Sequence, residues 1–224
     1  MRLLFLPVAA ACVASPDDPN QATSDLLADI QLAALDDTQA EIVVKLQDRL
    51  ALRGELYELE IGEEVTVTIP GIVISLVSSR LDTQPVYTAT IPDPPVDTTY
   101  YVAFNRVPPD QTASGSTVSL PPSLSVTAPD AASRQEAIDI TWSVSGGDDP
   151  IELLVDGPCF DTYRDEIPDE GLFTLPPGSL TGSDESCPAS LTLTRLRTGL
   201  VDDNFAGGDG LAYQQRTHAL LLDP

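Results

Sequence analysis

The single histidine, His218, is the first residue to consider for acid–base chemistry. A Ser–His–Asp relay needs a histidine that a carboxylate orients. His218 shares its strand parity with Gln214 and Arg216, whereas the apolar Ala219 and Leu221 fall on the opposite parity. We therefore predict that His218 faces solvent and is not a base. The sequence also lacks G-x-S-x-G, H-E-x-x-H and a phosphate-binding glycine loop, so we assign no catalytic residue and no cofactor.

Carboxylates are the other side chains that could carry chemistry, because calcium prefers oxygen ligands on loops. The candidates lie in predicted turns: Asp148, Asp149, Asp156, Asp202, Asp203 and Asp209. None of them has EF-hand spacing, and aspartate is a common turn residue, so we predict solvated turns and assign no metal site. A glycoside hydrolase pairs carboxylates in space rather than in sequence, so that chemistry stays open as an alternative.

The third chemically distinctive residue is Cys12, at the end of a short apolar segment. Met1-Arg2 is basic, residues 3–8 are mostly apolar, and three alanines precede the cysteine. Residues 1–11 resemble a bacterial lipoprotein signal peptide, which implies that Cys12 is acylated and becomes the new N-terminus. Alanine stands where such signals usually have leucine, at Ala9, so simple secretion after ordinary cleavage remains the alternative. The resemblance implies a lipid-anchored envelope protein, and Val13 after the cysteine favours the outer membrane.

Two cysteines remain once Cys12 is assigned to lipid. An even remainder in an exported protein favours a disulfide between Cys159 and Cys187. A two-cysteine zinc site would need four ligands, and the chain has one histidine. Residues 12–25 are polar and contain proline, which predicts a flexible tether between anchor and folded body.

The amino-acid composition of this 224-residue chain excludes some classes of binding partner. Lysine and arginine number 11 and aspartate and glutamate 35, for a formal charge of −24. Such a charge repels nucleic acid and anionic membrane surfaces. No apolar run reaches the roughly 18 residues of a membrane-spanning helix. Proline and glycine separate short apolar runs, as in an all-β protein.

Alternating apolar residues predict the strands of a first domain over 26–119. Residues 65–69 alternate, Pro70-Gly71 has type II turn chemistry, and residues 72–77 continue as the second arm of a hairpin or tight corner. Further strands are expected over 86–91, 100–105 and 117–120, with 30–35 as the opening edge strand.

Residues 38–53 have a sequence pattern that fits either a helix or a strand. Thr38 and Glu41 have capping-box spacing, yet the even positions from 40 to 46 are all apolar, which favours a strand. A helix there is the alternative.

The second domain, over 120–224, is organised around residues 137–145. Ile138, Ile140, Trp142 and Val144 share one parity and polar residues the other, which predicts a central strand with one buried face. Strands are also expected over 124–129, 151–155, 172–175, 191–194 and 211–222, with Gly207–Gly210 forming a turn before the last.

The segments LSVTAP, AIDITWSVSG, PIELLVDG and LPPGSL resemble bacterial immunoglobulin-like or fibronectin type III-like modules. The resemblance covers about 100 residues and implies two tandem antiparallel β-sandwiches, as in uncharacterised envelope lipoproteins. It implies architecture only, since these folds host unrelated functions.

These observations favour a non-enzymatic envelope lipoprotein that binds, adheres to or spaces an envelope protein or glycan. The alternatives are a calcium- or carbohydrate-binding adhesion protein and an unrecognised carboxylate-dependent hydrolase. The first alternative predicts exposed aromatic rings or carboxylates clustered on one face. The second predicts a deep cleft containing an acid with a raised pKa.

Overall fold

The alternating apolar pattern forms strands along most of the chain. The computed structural model describes residues 22–34, 36–51, 55–82 and 84–224. Within these ranges it contains 16 strands, a 3-10 turn at Thr23–Asp25 and no α-helix. The predicted all-β sandwich class is therefore confirmed.

The N-terminal half provides eight strands. In chain order they are β1 (Leu26–Ala34), β2 (Gln39–Asp48), β3 (Glu64–Ile69), β4 (Ile72–Ser75), β5 (Val77–Leu81), β6 (Gln84–Pro92), β7 (Thr99–Asn105) and β8 (Ala113–Ser119). Strand rather than helix is thus correct at β2, where burial on one face outweighs helical propensity. Residues 52 and 53 of that ambiguous segment lie outside the described residues.

The predicted hairpin at Pro70-Gly71 is present. Ile69 pairs with Ile72, so the loop between them consists of Pro70 and Gly71. Gly71 has the positive φ of +85° that a type II turn requires. The chain then changes sheets at Leu76, because β4 pairs with β3 in a four-stranded sheet whereas β5 pairs with β6 in a larger one.

The C-terminal half provides the other eight strands. They are β9 (Val126–Thr127), β10 (Ala131–Ser133), β11 (Ile138–Trp142), β12 (Ile151–Asp156), β13 (Tyr163–Ile167), β14 (Leu172–Leu175), β15 (Cys187–Thr198) and β16 (Gly207–Asp223). As predicted, β11 is the central strand of its sheet, between β14 and β9, and it buries Ile138, Ile140 and Trp142. Val144 lies beyond the end of the strand and is exposed, contrary to the predicted pattern.

Strand β16 connects the two halves of the chain. The nine-stranded sheet has the order β13-β12-β15-β16-β1-β2-β6-β5, with β10 also paired to β16. The pairings of β16 with β1 and with β10 are parallel, although we predicted antiparallel sheets. Strand β1 is consequently an interior strand, and the prediction of an opening edge strand over 30–35 is wrong.

The glycines that precede the last predicted strand are part of it. Gly207 and Gly208 have φ values of +141° and +134°, and a Cβ on Gly208 would lie 2.0 Å from the Ala28 carbonyl oxygen. Glycine is required here so that β16 can approach β1 closely, and the predicted turn over Gly207–Gly210 is wrong.

Two apolar clusters form the interior. The first contains buried side chains of β1, β2, β3, β6, β7 and β8, together with Leu120, Phe205 and Ala212 from beyond the predicted boundary at residues 119 and 120. The second is formed by buried residues from Leu124 to Leu222, including Trp142. The C-terminal half therefore contributes to both clusters.

Candidate functional site

The predicted lipid attachment residue, Cys12, lies outside the described residues. The described chain begins at Ala22 and enters β1 at Leu26, in the interior of the large sheet. Acylation of Cys12 therefore stays a prediction. None of the residues within the described ranges forms a helix that is long and apolar enough to cross a membrane.

The predicted disulfide between Cys159 and Cys187 is confirmed. The two Cα atoms are 6.0 Å apart, within the range that a disulfide spans, and both cysteines are buried. The bond joins the loop after β12 to the first residue of β15. It thereby closes a loop of the second core that includes the edge strands β13 and β14.

Removing this bond is expected to lower the free energy of unfolding by about 3.5 kcal/mol, because the unfolded chain regains the entropy of the closed loop. Urea unfolding of the protein with Cys159→Ser and Cys187→Ser would measure the loss. The matched control is Cys12→Ser, which removes a cysteine that closes no loop. Equal unfolding midpoints for the double variant and the control would contradict the prediction.

A concave surface lined by acidic residues, here called the acidic cleft, lies between residues 147–150 and 166–170. Its volume is about 540 Å³. Five of its lining residues carry carboxylates: Asp148, Asp149, Glu166, Asp169 and Glu170. Asp148 and Asp149 lie in the turn after β11, Glu166 lies on β13, and Asp169 and Glu170 lie in the turn after β13. Strand β12 follows the first turn and pairs with β13, which brings the two turns together.

Asp169 is the most enclosed of these carboxylates. It accepts hydrogen bonds from Trp142 Nε1 at 2.7 Å, from the Ser145 amide at 2.9 Å and from the Arg195 guanidinium at 3.0 Å. Burial alone would raise the pKa of Asp169, but the hydrogen bonds from Ser145, Trp142 and Arg195 outweigh it and lower that pKa. Asp169 is thus held as an anion, which is opposite to what a general acid needs.

Asp149 is also committed to an arginine. Arg197 Nε and a terminal nitrogen of the same guanidinium donate to its two oxygens at 2.9 and 2.6 Å. Arg197 further contacts Asp97 at 2.8 Å, so this one guanidinium joins the two halves of the chain. The hydrogen bond to Asp149 is the main cause that raises the pKa of Arg197. These ion pairs give Asp149 a structural role.

Three carboxylates of the acidic cleft, Asp148, Glu166 and Glu170, are exposed to solvent. They give the cleft a hydrated negative rim around two ion-paired aspartates. Such a surface attracts cations and cationic groups through long-range electrostatics. The geometry therefore supports weak electrostatic binding better than bond-breaking chemistry.

The other predicted calcium candidates lie apart from the acidic cleft. Asp156 accepts a hydrogen bond from Thr162 at 2.7 Å, and Asp202 accepts bonds from the Asn204 and Gly115 amides, the former at 2.8 Å. Asp209 belongs to β16 rather than to a turn. Across the described ranges, no three histidine, cysteine or acidic residues are grouped as metal ligands would be.

His218 differs from its prediction. Its side chain is only 21% exposed, and Nε2 lies 3.6 Å from Asp130 Oδ1. The same parity of β16 buries Gln214, Leu220 and Leu222, so the solvent-facing assignment is wrong. Residues 219–222 are apolar on both parities, which is why the sequence pattern was ambiguous.

Two of the buried arginines, Arg195 and Arg106, were not predicted from the sequence. Arg195 follows Leu191 and Leu193 on the buried parity of β15, so the pattern that predicted this strand also contained the signal for an inward-pointing arginine. Arg106 is likewise fully buried and donates to Glu63 at 2.6 Å and to the Tyr57 hydroxyl at 3.0 Å. Both residues organise the interior rather than a surface.

Comparisons with known proteins add little to this description. No protein-family model matches the chain, and no curated protein matches it. One solved structure that it resembles is titled "Cytokine receptor complex - Crystal form 1A". That match covers 86% of this chain and 95% of the other at 9% identity, with a TM-score of 0.35.

Proposed function

We propose that this protein is an exported lipoprotein, anchored through an acylated Cys12, whose β-sandwich body binds or spaces components of the cell envelope without catalysing a reaction. The disulfide supports export, because such bonds persist in oxidising compartments. The lipoprotein-like residues before Cys12 and Val13 after it support an outer-membrane anchor, with simple secretion as the alternative. An envelope protein or a glycan is the proposed partner.

The proposal that the protein catalyses no reaction is supported mainly by the ion pairs inside the acidic cleft. Carboxylate-only hydrolysis needs one protonated acid beside a second carboxylate. Asp169 has a lowered pKa and Asp149 is held by Arg197, so the two enclosed carboxylates serve the fold. The exposed acidic rim that remains suits binding of cationic groups.

Labelling with a fatty-acid probe tests the anchor. We expect the wild-type protein to incorporate the probe and to fractionate with membranes, and Cys12→Ala to do neither, because the acyl chain is attached to that sulfur. Ser15→Ala, a change in the predicted tether, is the control and should stay labelled. An unlabelled wild-type protein in the soluble fraction would overturn the proposal.

A further inference from the structure

One continuous segment, residues 72–81, forms an outer edge of two sheets. Strand β4 ends the four-stranded sheet, and β5 ends the nine-stranded sheet. Between them Leu76 is buried and donates its amide to the Val65 carbonyl at 2.8 Å, which fixes the point where the chain changes sheets. We call this segment the double edge.

The double edge is apolar and exposed. Ile72, Val73, Val77 and Leu81 are 55%, 66%, 69% and 54% exposed, and every residue of β5 is exposed. Arg80 is the one charged residue in residues 72–81, and the segment contains no proline. Charges, prolines and short lengths are the means by which proteins protect edge strands from pairing.

Other edges in the described part of the chain carry such protection. Strand β13 has three consecutive charged residues, Arg164 to Glu166, and β9 and β10 span only two and three residues. Strand β8 is covered, since Thr117 and Leu200 exchange backbone hydrogen bonds of 2.8 Å. Strand β14 is followed directly by Pro176-Pro177.

The charges around the double edge select the partner. The Glu58 carboxylate lies 3.5 Å from Arg80, and the Glu64 carboxylate lies 3.4 Å from the Ser75 hydroxyl. Glu64 therefore places a carboxylate beside β4, Glu58 beside β5 is paired with Arg80, and the whole chain has a charge of −24. A second copy would bring the same charge and be repelled, whereas a cationic segment would be attracted.

We propose that the double edge binds an extended segment of another protein in which apolar residues alternate with lysine or arginine. The segment adds a strand to the sheet edge: its backbone supplies hydrogen bonds, its apolar side chains cover Val77 and Leu81, and its cations are attracted by Glu64 and by the net negative charge of the chain. This inference rests on the binding role proposed above and names its partner class.

A blocked ten-residue peptide alternating valine with arginine is the probe, added to the full-length protein in detergent. We expect saturable binding that slows hydrogen exchange of amides in residues 72–81. A peptide N-methylated at alternate residues keeps the charge but loses backbone donors, so it should bind at least ten-fold more weakly. Glutamate in place of arginine should abolish binding.

Variants locate the site. Val77→Ser with Leu81→Ser should weaken binding several-fold, whereas Leu172→Ser, at a similarly exposed leucine on another edge, should leave it unchanged. Equal affinity for the N-methylated peptide, protection outside residues 72–81, or no binding would overturn the inference. So would a dimer in sedimentation that Val77→Ser dissociates, because the occupant would then be a second copy. None of these results alters fatty-acid labelling at Cys12, so failure here is distinguishable from failure of the proposed anchor.

Discussion

Replacing Arg195 with alanine is expected to lower the free energy of unfolding by about 3–5 kcal/mol. The guanidinium is fully buried and binds the Asp169 carboxylate at 3.0 Å. It also donates to the carbonyl oxygens of Pro122 at 2.9 Å, Ser123 at 3.3 Å and Ser143. Alanine would leave a buried anion and these carbonyls without their donor, which costs more than the lost attraction alone.

Urea unfolding measures the Arg195→Ala effect, with Arg164→Ala as the control because Arg164 is exposed on β13. The control should change stability by less than about 1 kcal/mol. The pKa of Asp169 is lowered in the folded protein, so its stabilising contribution is present above the unfolded-state pKa and is lost as pH falls through the folded-state value. The variant should lose only part of this acid sensitivity, because the hydrogen bonds from Ser145 and Trp142 to Asp169 remain. Equal losses in the two variants would contradict the assigned role.

Gly208→Ala is expected to destabilise the protein by about 2–6 kcal/mol, from backbone strain and overpacking of about 1–3 kcal/mol each. Gly208 has a φ of +134°, and its new Cβ would meet the Ala28 carbonyl oxygen at 2.0 Å. Relieving that overlap requires β16 to move away from β1, where the eight paired positions run from Leu27 and Gly207 to Ala34 and Gln214.

Gly71→Ala is the matched control for Gly208→Ala. Its φ of +85° also disfavours a side chain, but no heavy atom lies within 4 Å of the added Cβ. The difference between the two variants in urea unfolding therefore isolates the close approach of β16 to β1. If the two variants unfold at the same urea concentration, β16 and β1 can move apart at Gly208 without loss of stability, which would contradict the prediction.

Local patterns in the sequence were sufficient for individual strands and turns. The alternation at Ile138, Ile140 and Trp142 predicted a strand with one buried face, and Pro70-Gly71 predicted a hairpin or a tight corner, since both depend on neighbouring residues. The cysteine pair was predictable because only one pairing remained once Cys12 was assigned elsewhere.

Long-range pairing was beyond those patterns. Nothing near β1 indicates that its partner is β16, because strand pairing depends on the register between distant segments. The pairing depends on Gly207 and Gly208, but a glycine-rich segment is also typical of a turn, and a turn was predicted there. The acidic cleft was equally hidden, since the charges on Asp149 and Asp169 are balanced by arginines from β15.

The parallel pairing of β1 with β16 also determines how the protein bears mechanical load. Suppose that the chain before Leu26 is fixed and a pull acts beyond Asp223. The two strands are then dragged in opposite directions along their length, and the ladder between Leu27 and Ala34 is loaded in shear. The evenly spaced bonds of a parallel pair share such a force and rupture together rather than opening one at a time. A tethered body built this way would extend only after a high force, set by its unfolding rate and not by its equilibrium stability.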